Sequence, residues 1–271
     1  MKYFSLTTRS RTRVYDTYIV ALLRRMTNLE ELKLCTRVVR DDSTYIDGIQ
    51  LYDQFLSHMT QLTRFTFDIK TEVFNKNVLI DFPSNEDIQR SFQGRGYQQV
   101  ASYVNVNHWK SYGKCHIYSM PYDFEYFHDL DNLYQGGMFH KVRQVTMMDG
   151  IRFEQRLFRC VSRDVPLLKY LSIKNPHGMK NKQYSSTPLI FPYLIFLDLD
   201  DAHIDYARLF LLKRNIHLPC LFNLRVEYES MKKITRNFTK DAIHFNFENL
   251  KSLDVCRLTC PRKLHRYFPL L

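Results

Sequence analysis

Glycine is scarce in this chain, with 8 residues among 271. That scarcity, and the absence of a GxxxxGK[ST] or GxGxxG segment, excludes the glycine-lined loops that cradle phosphates in nucleotide-binding folds. There is no GxSxG and no HExxH, so the familiar hydrolase and metalloprotease arrangements are excluded as well. Long apolar runs are missing too. The most apolar stretch, Leu189 to Leu199, is interrupted by Pro192 and falls short of the roughly 18 to 20 residues that span a bilayer. Residues Met1 to Arg13 are polar and arginine-rich, without the apolar core and small-residue cleavage site of a secretory signal. The six cysteines (Cys35, Cys115, Cys160, Cys220, Cys256 and Cys260) are scattered without a disulfide framework or finger-like zinc spacing. They read as free thiols of a reducing compartment, cytoplasmic or nuclear.

What the chain has in abundance is aromatic residues and a recurring apolar spacing. It carries 20 Phe and 18 Tyr, and its 45% hydrophobic and 25% charged content is that of a folded protein. An apolar residue, two free positions, an apolar residue, one free position and an apolar residue recur eight times. The copies are Met1-Phe4-Leu6, Leu29-Leu32-Leu34, Leu62-Phe65-Phe67, Val142-Val145-Met147, Leu168-Leu171-Ile173, Leu194-Leu197-Leu199, Leu221-Leu224-Val226 and Leu250-Leu253-Val255. The last two anchors of each copy alternate, which places them on one face of a short strand. Between copies, stripes such as Ile49, Tyr52, Phe55, Leu56 and Met59 recur at helical steps. Strand followed by crossing helix makes successive strands parallel.

First anchors lie 28, 33, 80, 26, 26, 27 and 29 residues apart, a period that marks a repeat solenoid. The expectation is one α/β array over 1–271, leucine-rich-repeat-like, with parallel strands on a concave face and helices on the convex face. Residues 72–135 form an irregular or expanded part of it. There a capped helix is expected from Ser84 to Phe92, a strand from Val100 to Val106, and a decayed copy at Tyr112-Cys115-Ile117 behind Trp109. Pro166, Pro192, Pro219 and Pro269 stand two residues before an anchor, where a missing amide donor ends a helix. Met1 and Phe268-Pro269-Leu270-Leu271 cut through copies, so the array reads as uncapped at both ends and as a fragment of a longer one.

Outward positions of the seven internal rungs carry four basic and six acidic side chains. The formal charge of +11 therefore sits elsewhere, on Arg9 to Arg13, Arg152 to Arg163 and Lys232 to Arg236. The binding candidates are outward residues of the central rungs: Tyr170, Lys174, Phe196, Asp198, Asp200, Arg225 and Glu227. They make either a charged patch bordered by aromatics, as in interface hot spots, or cross-strand pairs within a sheet surface. Asp198, Asp200, Asp201 and Asp205 lack the turn glycine of a calcium loop. No catalytic, cofactor or metal residue is assigned.

The apolar-Pro-x-Leu-x-x-Leu-x-Leu units, together with Met26-Thr27-Asn28-Leu29-Glu30-Glu31-Leu32-Lys33-Leu34, resemble the leucine-rich-repeat region of F-box proteins. The resemblance implies a non-catalytic, substrate-recruiting scaffold for a ubiquitin ligase, with an unnamed protein partner and no membrane. A ligase adaptor would be a partner only through an F-box upstream of this segment. The chain departs from that pattern at Arg37, Ala202, Glu229 and Leu258, where asparagine or cysteine is expected. The alternatives are RNA binding through the basic helical surface and a non-functional fragment.

Overall fold

The computed structural model describes residues 2–75, 81–107, 112–134, 136–179, 187–256 and 268. The expectations placed on Met1, Trp109, Leu258, Cys260 and 269–271 lie outside these residues. The chain divides into two compact units, Met1–Asp123 and Phe124–Leu271. No helix among the described residues is long and apolar enough to cross a membrane.

The first unit is built on a five-stranded mixed sheet. Strands β1 (Tyr3–Thr12), β2 (Glu31–Asp41) and β3 (Arg64–Phe74) run parallel, pairing Leu6 with Leu34 and Leu34 with Phe67. Strand β5 (Tyr112–Ser119) then pairs antiparallel to β3, and β4 (Val100–Asn107) antiparallel to β5. Leu32, Leu34, Phe67, Ile69 and Ile117 are at most 1% exposed, and burying each such side chain contributes about 1.5–3 kcal/mol. They pack on α1 (Val20–Arg24) and α2 (Gly48–Gln54) through Val20, Leu23 and Leu51. Helix α3 (Asn85–Ser91) starts at a capping box: the Ser84 hydroxyl accepts the Asp87 amide at 3.1 Å, while Asp87 accepts the Ser84 amide.

The second unit carries two sheets. The larger has the order β13-β12-β10-β8-β7-β6, formed by β6 (Tyr126–Leu130), β7 (Gln144–Met148), β8 (Tyr170–Lys174), β10 (Phe196–Leu199), β12 (Asn223–Glu227) and β13 (Ser252–Cys256). All are parallel, and one register row holds Phe127, Val145, Leu171, Leu197, Leu224 and Leu253. The smaller pairs β9 (Leu189–Ile190) with β11 (Ile216–His217). Helices α4 (Gln155–Asp164), α5 (Ile204–Leu211) and α6 (Tyr228–Ile234) carry the other half of the core. The rings of Phe158, Tyr206 and Phe210, all fully buried, meet at centroid distances of 5.4–6.0 Å.

This architecture overturns the solenoid expectation and the resemblance drawn from it. Three discrete sheets, one of them mixed in direction, make an α/β protein and not a leucine-rich-repeat horseshoe. Two features break the supposed array. Tyr112-Cys115-Ile117 is no decayed copy, because β5 runs against β3 and forms a hairpin-like pair with β4. Strands β2 and β3 are also 11 residues long, so much of the first sheet extends beyond the repeated spacing. Several outward positions are in fact buried: Cys35, Thr66 and Asp68 are at most 6% exposed. A local spacing rule records which side chains alternate, but it does not record strand direction.

Candidate functional site

Asp68 sits in the most chemically suggestive cluster of the first unit. Its Oδ1 is 2.6 Å from His116 Nε2, and its Oδ2 accepts the Tyr122 hydroxyl at 2.5 Å. His116 Nδ1 lies 3.0 Å from the Tyr103 hydroxyl. Burial is the largest effect on His116: with the nearby Lys70 ammonium it lowers the imidazole from 6.5 to about 4, against the pull of Asp68. Burial also pushes Tyr122 well above its ordinary value, reinforced by Asp68. The neutral ring then donates to Asp68 and accepts from Tyr103. An acid, a base and two hydroxyls are thus aligned, but none of the four residues exceeds 8% exposure. A substrate has no approach to them, and the cluster's effect is to tie β3 to β4 and β5.

The accessible site lies in the second unit, at the carboxyl ends of its parallel strands. That is where open parallel sheets place ligands, because the chain leaves each strand there in a loop. The strand ends deliver Met148 from β7, Lys174 from β8, Asp200 directly after β10, and Glu227 from β12. Together with Asp149, Pro176, Asp201, Ala202, His203, Ile204, Ser230 and Lys233 they line an open cleft of about 650 Å³, within the range of small-molecule sites.

The walls are held by hydrogen bonds beyond the strands. Asn175, fully buried, donates its side-chain amide to Ile151 O at 2.7 Å and accepts the His177 amide at 2.9 Å. Its backbone bridges to the next loop, since Asn175 N reaches Asp201 O and His203 N reaches Asn175 O. The Tyr206 hydroxyl donates to His177 O at 2.9 Å and accepts the Phe153 amide at 3.0 Å. His203 caps α5, its Nδ1 accepting the Asp205 amide at 3.2 Å. A Cβ on Gly178 would stand 2.7 Å from both Asp205 Oδ2 and His203 Cε1. Only glycine lets this loop close on the cap.

The charges of the cleft do not cancel one another. Asp149 is engaged by Asn132 at 2.8 Å and by the Ile151 amide, and Glu227 accepts the Ser230 hydroxyl at 2.9 Å. Among the described residues, the carboxylates of Asp200 and Asp201 have neither an ion pair nor a side-chain hydrogen bond, and the same holds for the ammonium groups of Lys174 and Lys233. Four carboxylates face two ammonium groups, so the cleft is locally acidic on a basic protein. No group of three or more His, Cys, Asp or Glu side chains suited to a metal ion occurs among the described residues.

The seven residues singled out in sequence share one face of the larger sheet but separate in role. Lys174, Asp200 and Glu227 line the cleft. Tyr170 and Phe196 stack at 4.9 Å with their planes 19° apart, and neither forms part of the cleft wall. Asp198 is buried beneath them and accepts the hydroxyls of Tyr170 and Ser172 at 3.4 and 3.3 Å. Burial first, then Asp198, raises the Tyr170 pKa. Arg225 pairs with Asp254 at 2.8 Å on a half-exposed surface, a contact worth at most about 1 kcal/mol. Asp149, His203 and Lys233 were missed. The first two follow strand ends by one and four residues, off the outward alternation, so the strand spacing holds no signal for them; Lys233 arrives on α6, for which it holds none either.

Comparison with protein-family models, curated proteins and solved structures finds no match for this chain. The substrate-recruiting F-box reading falls with the solenoid on which it rested.

Proposed function

We propose that the second unit binds a small basic zwitterion, an amino acid with a cationic side chain or a close analogue, in the cleft at the carboxyl ends of β7, β8, β10 and β12. The observation that carries this reading is the coexistence of unneutralised carboxylates and ammonium groups around one cavity, with carboxylates in excess. Asp200, Asp201 and Glu227 suit the ligand's cationic groups, and Lys174 and Lys233 its carboxylate. Met148, Pro176 and Ile204 offer apolar surface to the aliphatic stem. The reading is of binding without catalysis: His203, the one imidazole of the cleft, is committed to capping α5 and orders the wall. The cytosol or nucleus suits a chain in which Cys35, Cys115, Cys160 and Cys220 are free thiols.

Isothermal titration with L-arginine, agmatine and L-leucine tests the reading. L-Arginine should bind saturably, agmatine more weakly for want of the carboxylate, and L-leucine not measurably. Replacing Asp200 and Asp201 together by Asn should weaken L-arginine about tenfold or more, a loss of about 1.4 kcal/mol. Equal affinity for L-leucine and L-arginine would overturn it.

A further inference from the structure

A second cavity lies in the first unit, where the chain passes from α2 through the short turn at Leu56–His58 into β3. Its volume is about 230 Å³. The walls are Leu56, Met59, Leu62, Phe65 and Tyr97, and Arg64 and Arg95 are its charged residues; no carboxylate lines it. Its character is thus opposite to that of the acidic cleft.

The aromatic wall is held in place. Phe65 and Tyr97 lie 6.5 Å apart at 49°, and Phe65 is buttressed edge-on by Phe55 at 6.1 Å. The Tyr97 hydroxyl donates to Gly48 O at 2.8 Å, which fixes its ring against α2. Arg95 is equally constrained. Its Nη1 donates to Ser91 O at 3.1 Å and to Gln93 O at 3.0 Å, so the guanidinium is docked on the C-terminal end of α3. Its Nε and Nη2 have no partner among the described residues. Arg64, by contrast, is partly neutralised by Asp123 at 3.1 Å. Gly96, at φ +74° with open space at its Cβ position, turns the chain so that Arg95 and Tyr97 flank the same cavity.

An apolar, ring-walled pocket bearing an oriented guanidinium with two idle donors is complementary to a planar apolar body ending in a carboxylate, because guanidinium and carboxylate match as paired donors and acceptors. We infer that this pocket binds a small aromatic carboxylate, its ring against Phe65 and Tyr97 and its carboxylate on Nε and Nη2 of Arg95. The inference stands apart from the cleft reading and survives its failure.

The test is calorimetric titration of the full chain with 3-phenylpropionate and with its neutral isostere 3-phenylpropionamide. The acid should bind saturably and the amide at least about tenfold more weakly. Arg95→Gln should bring the acid down to the amide's affinity, whereas the paired Asp200→Asn and Asp201→Asn substitutions should leave it unchanged. Equal binding of acid and amide to the unaltered protein, or no saturable binding of the acid in the millimolar range, would overturn the inference. That comparison needs no variant, so it decides the matter even if Arg95→Gln fails to fold.

Discussion

Acidification should weaken the first unit through His116. The imidazole is 2% exposed and neutral in the folded protein, because burial and the Lys70 ammonium lower its pKa from 6.5 to about 4. In the unfolded chain it protonates near 6.5. The folded-state value is the lower of the two, so the unfolded state takes up the proton first as the pH falls. Its contribution is therefore complete above about pH 6.5, is lost progressively down to about pH 4, and then levels off. At about 1.4 kcal/mol per tenfold change in proton affinity, the whole interval amounts to about 3 kcal/mol, a large share of the 5–15 kcal/mol typical of a domain. Asp68 acts in the same direction at lower pH. Burial opposes its ionisation, but the charge that His116 takes on below about pH 4, its hydrogen bond, the Lys70 ammonium and the Tyr122 hydroxyl outweigh it and hold the carboxyl below its ordinary 3.8. The assay is urea unfolding at a series of pH values, for the native sequence and for His116→Gln. The native sequence should lose about 3 kcal/mol more than the variant between about pH 7 and pH 4. Parallel losses in the two proteins, or a His116 imidazole titrating near 6.5 in the folded state, would refute the reasoning.

Other consequences are independent of that cluster. Gly113→Ala would place a Cβ 2.0 Å from the Tyr45 hydroxyl and 3.0 Å from Phe82 Cδ1, and should cost about 1–3 kcal/mol in chemical unfolding; an unchanged midpoint would contradict the packing of β5 on Tyr45. Asn246→Ala strands Phe210 O, Ile216 O and the Leu218 amide, all now within 3.2 Å of its side chain, and should destabilise the second unit by on the order of 3 kcal/mol. A thiol reagent should modify the half-buried Cys160 and Cys220 before the buried Cys35 and Cys115. Burial, reinforced by Asp68, pushes the Cys35 thiol up to about 12, and mass-mapped labelling in the reverse order would refute this.

What the sequence discloses of this fold is its local part. Alternation alone selects Leu32 and Leu34, Val145 and Met147, Leu171 and Ile173, Leu197 and Leu199, and Leu224 and Val226, and every one of these is at most 1% exposed. Ser84 is legible as a helix cap because its partner Asp87 is three residues away. The non-local part is not legible. Asp68 reads as outward by alternation, yet His116 and Tyr122, 48 and 54 residues later, close over it. Nothing in Tyr112 to Ile117 declares that the strand runs backwards, since an antiparallel strand alternates just as a parallel one does. The solenoid expectation fails for that reason: the apolar spacing continues through a segment where strand direction reverses. The cleft was half legible for the same reason. Lys174, Asp200 and Glu227 lie on the alternating pattern, whereas Asp149 and His203 lie in loops whose course depends on contacts such as those of Asn175 and Tyr206.

Binding of a basic zwitterion in the carboxyl-end cleft of the second unit is open to direct observation. Its most direct test is a ¹⁵N–¹H correlation spectrum of the labelled protein during titration with L-arginine. Saturable shifts should concentrate at Met148, Asp149, Lys174, Asp200 to Ile204, and Glu227 to Lys233, with the first unit unmoved. Shifts absent from those residues, or equally present with L-leucine, would contradict it.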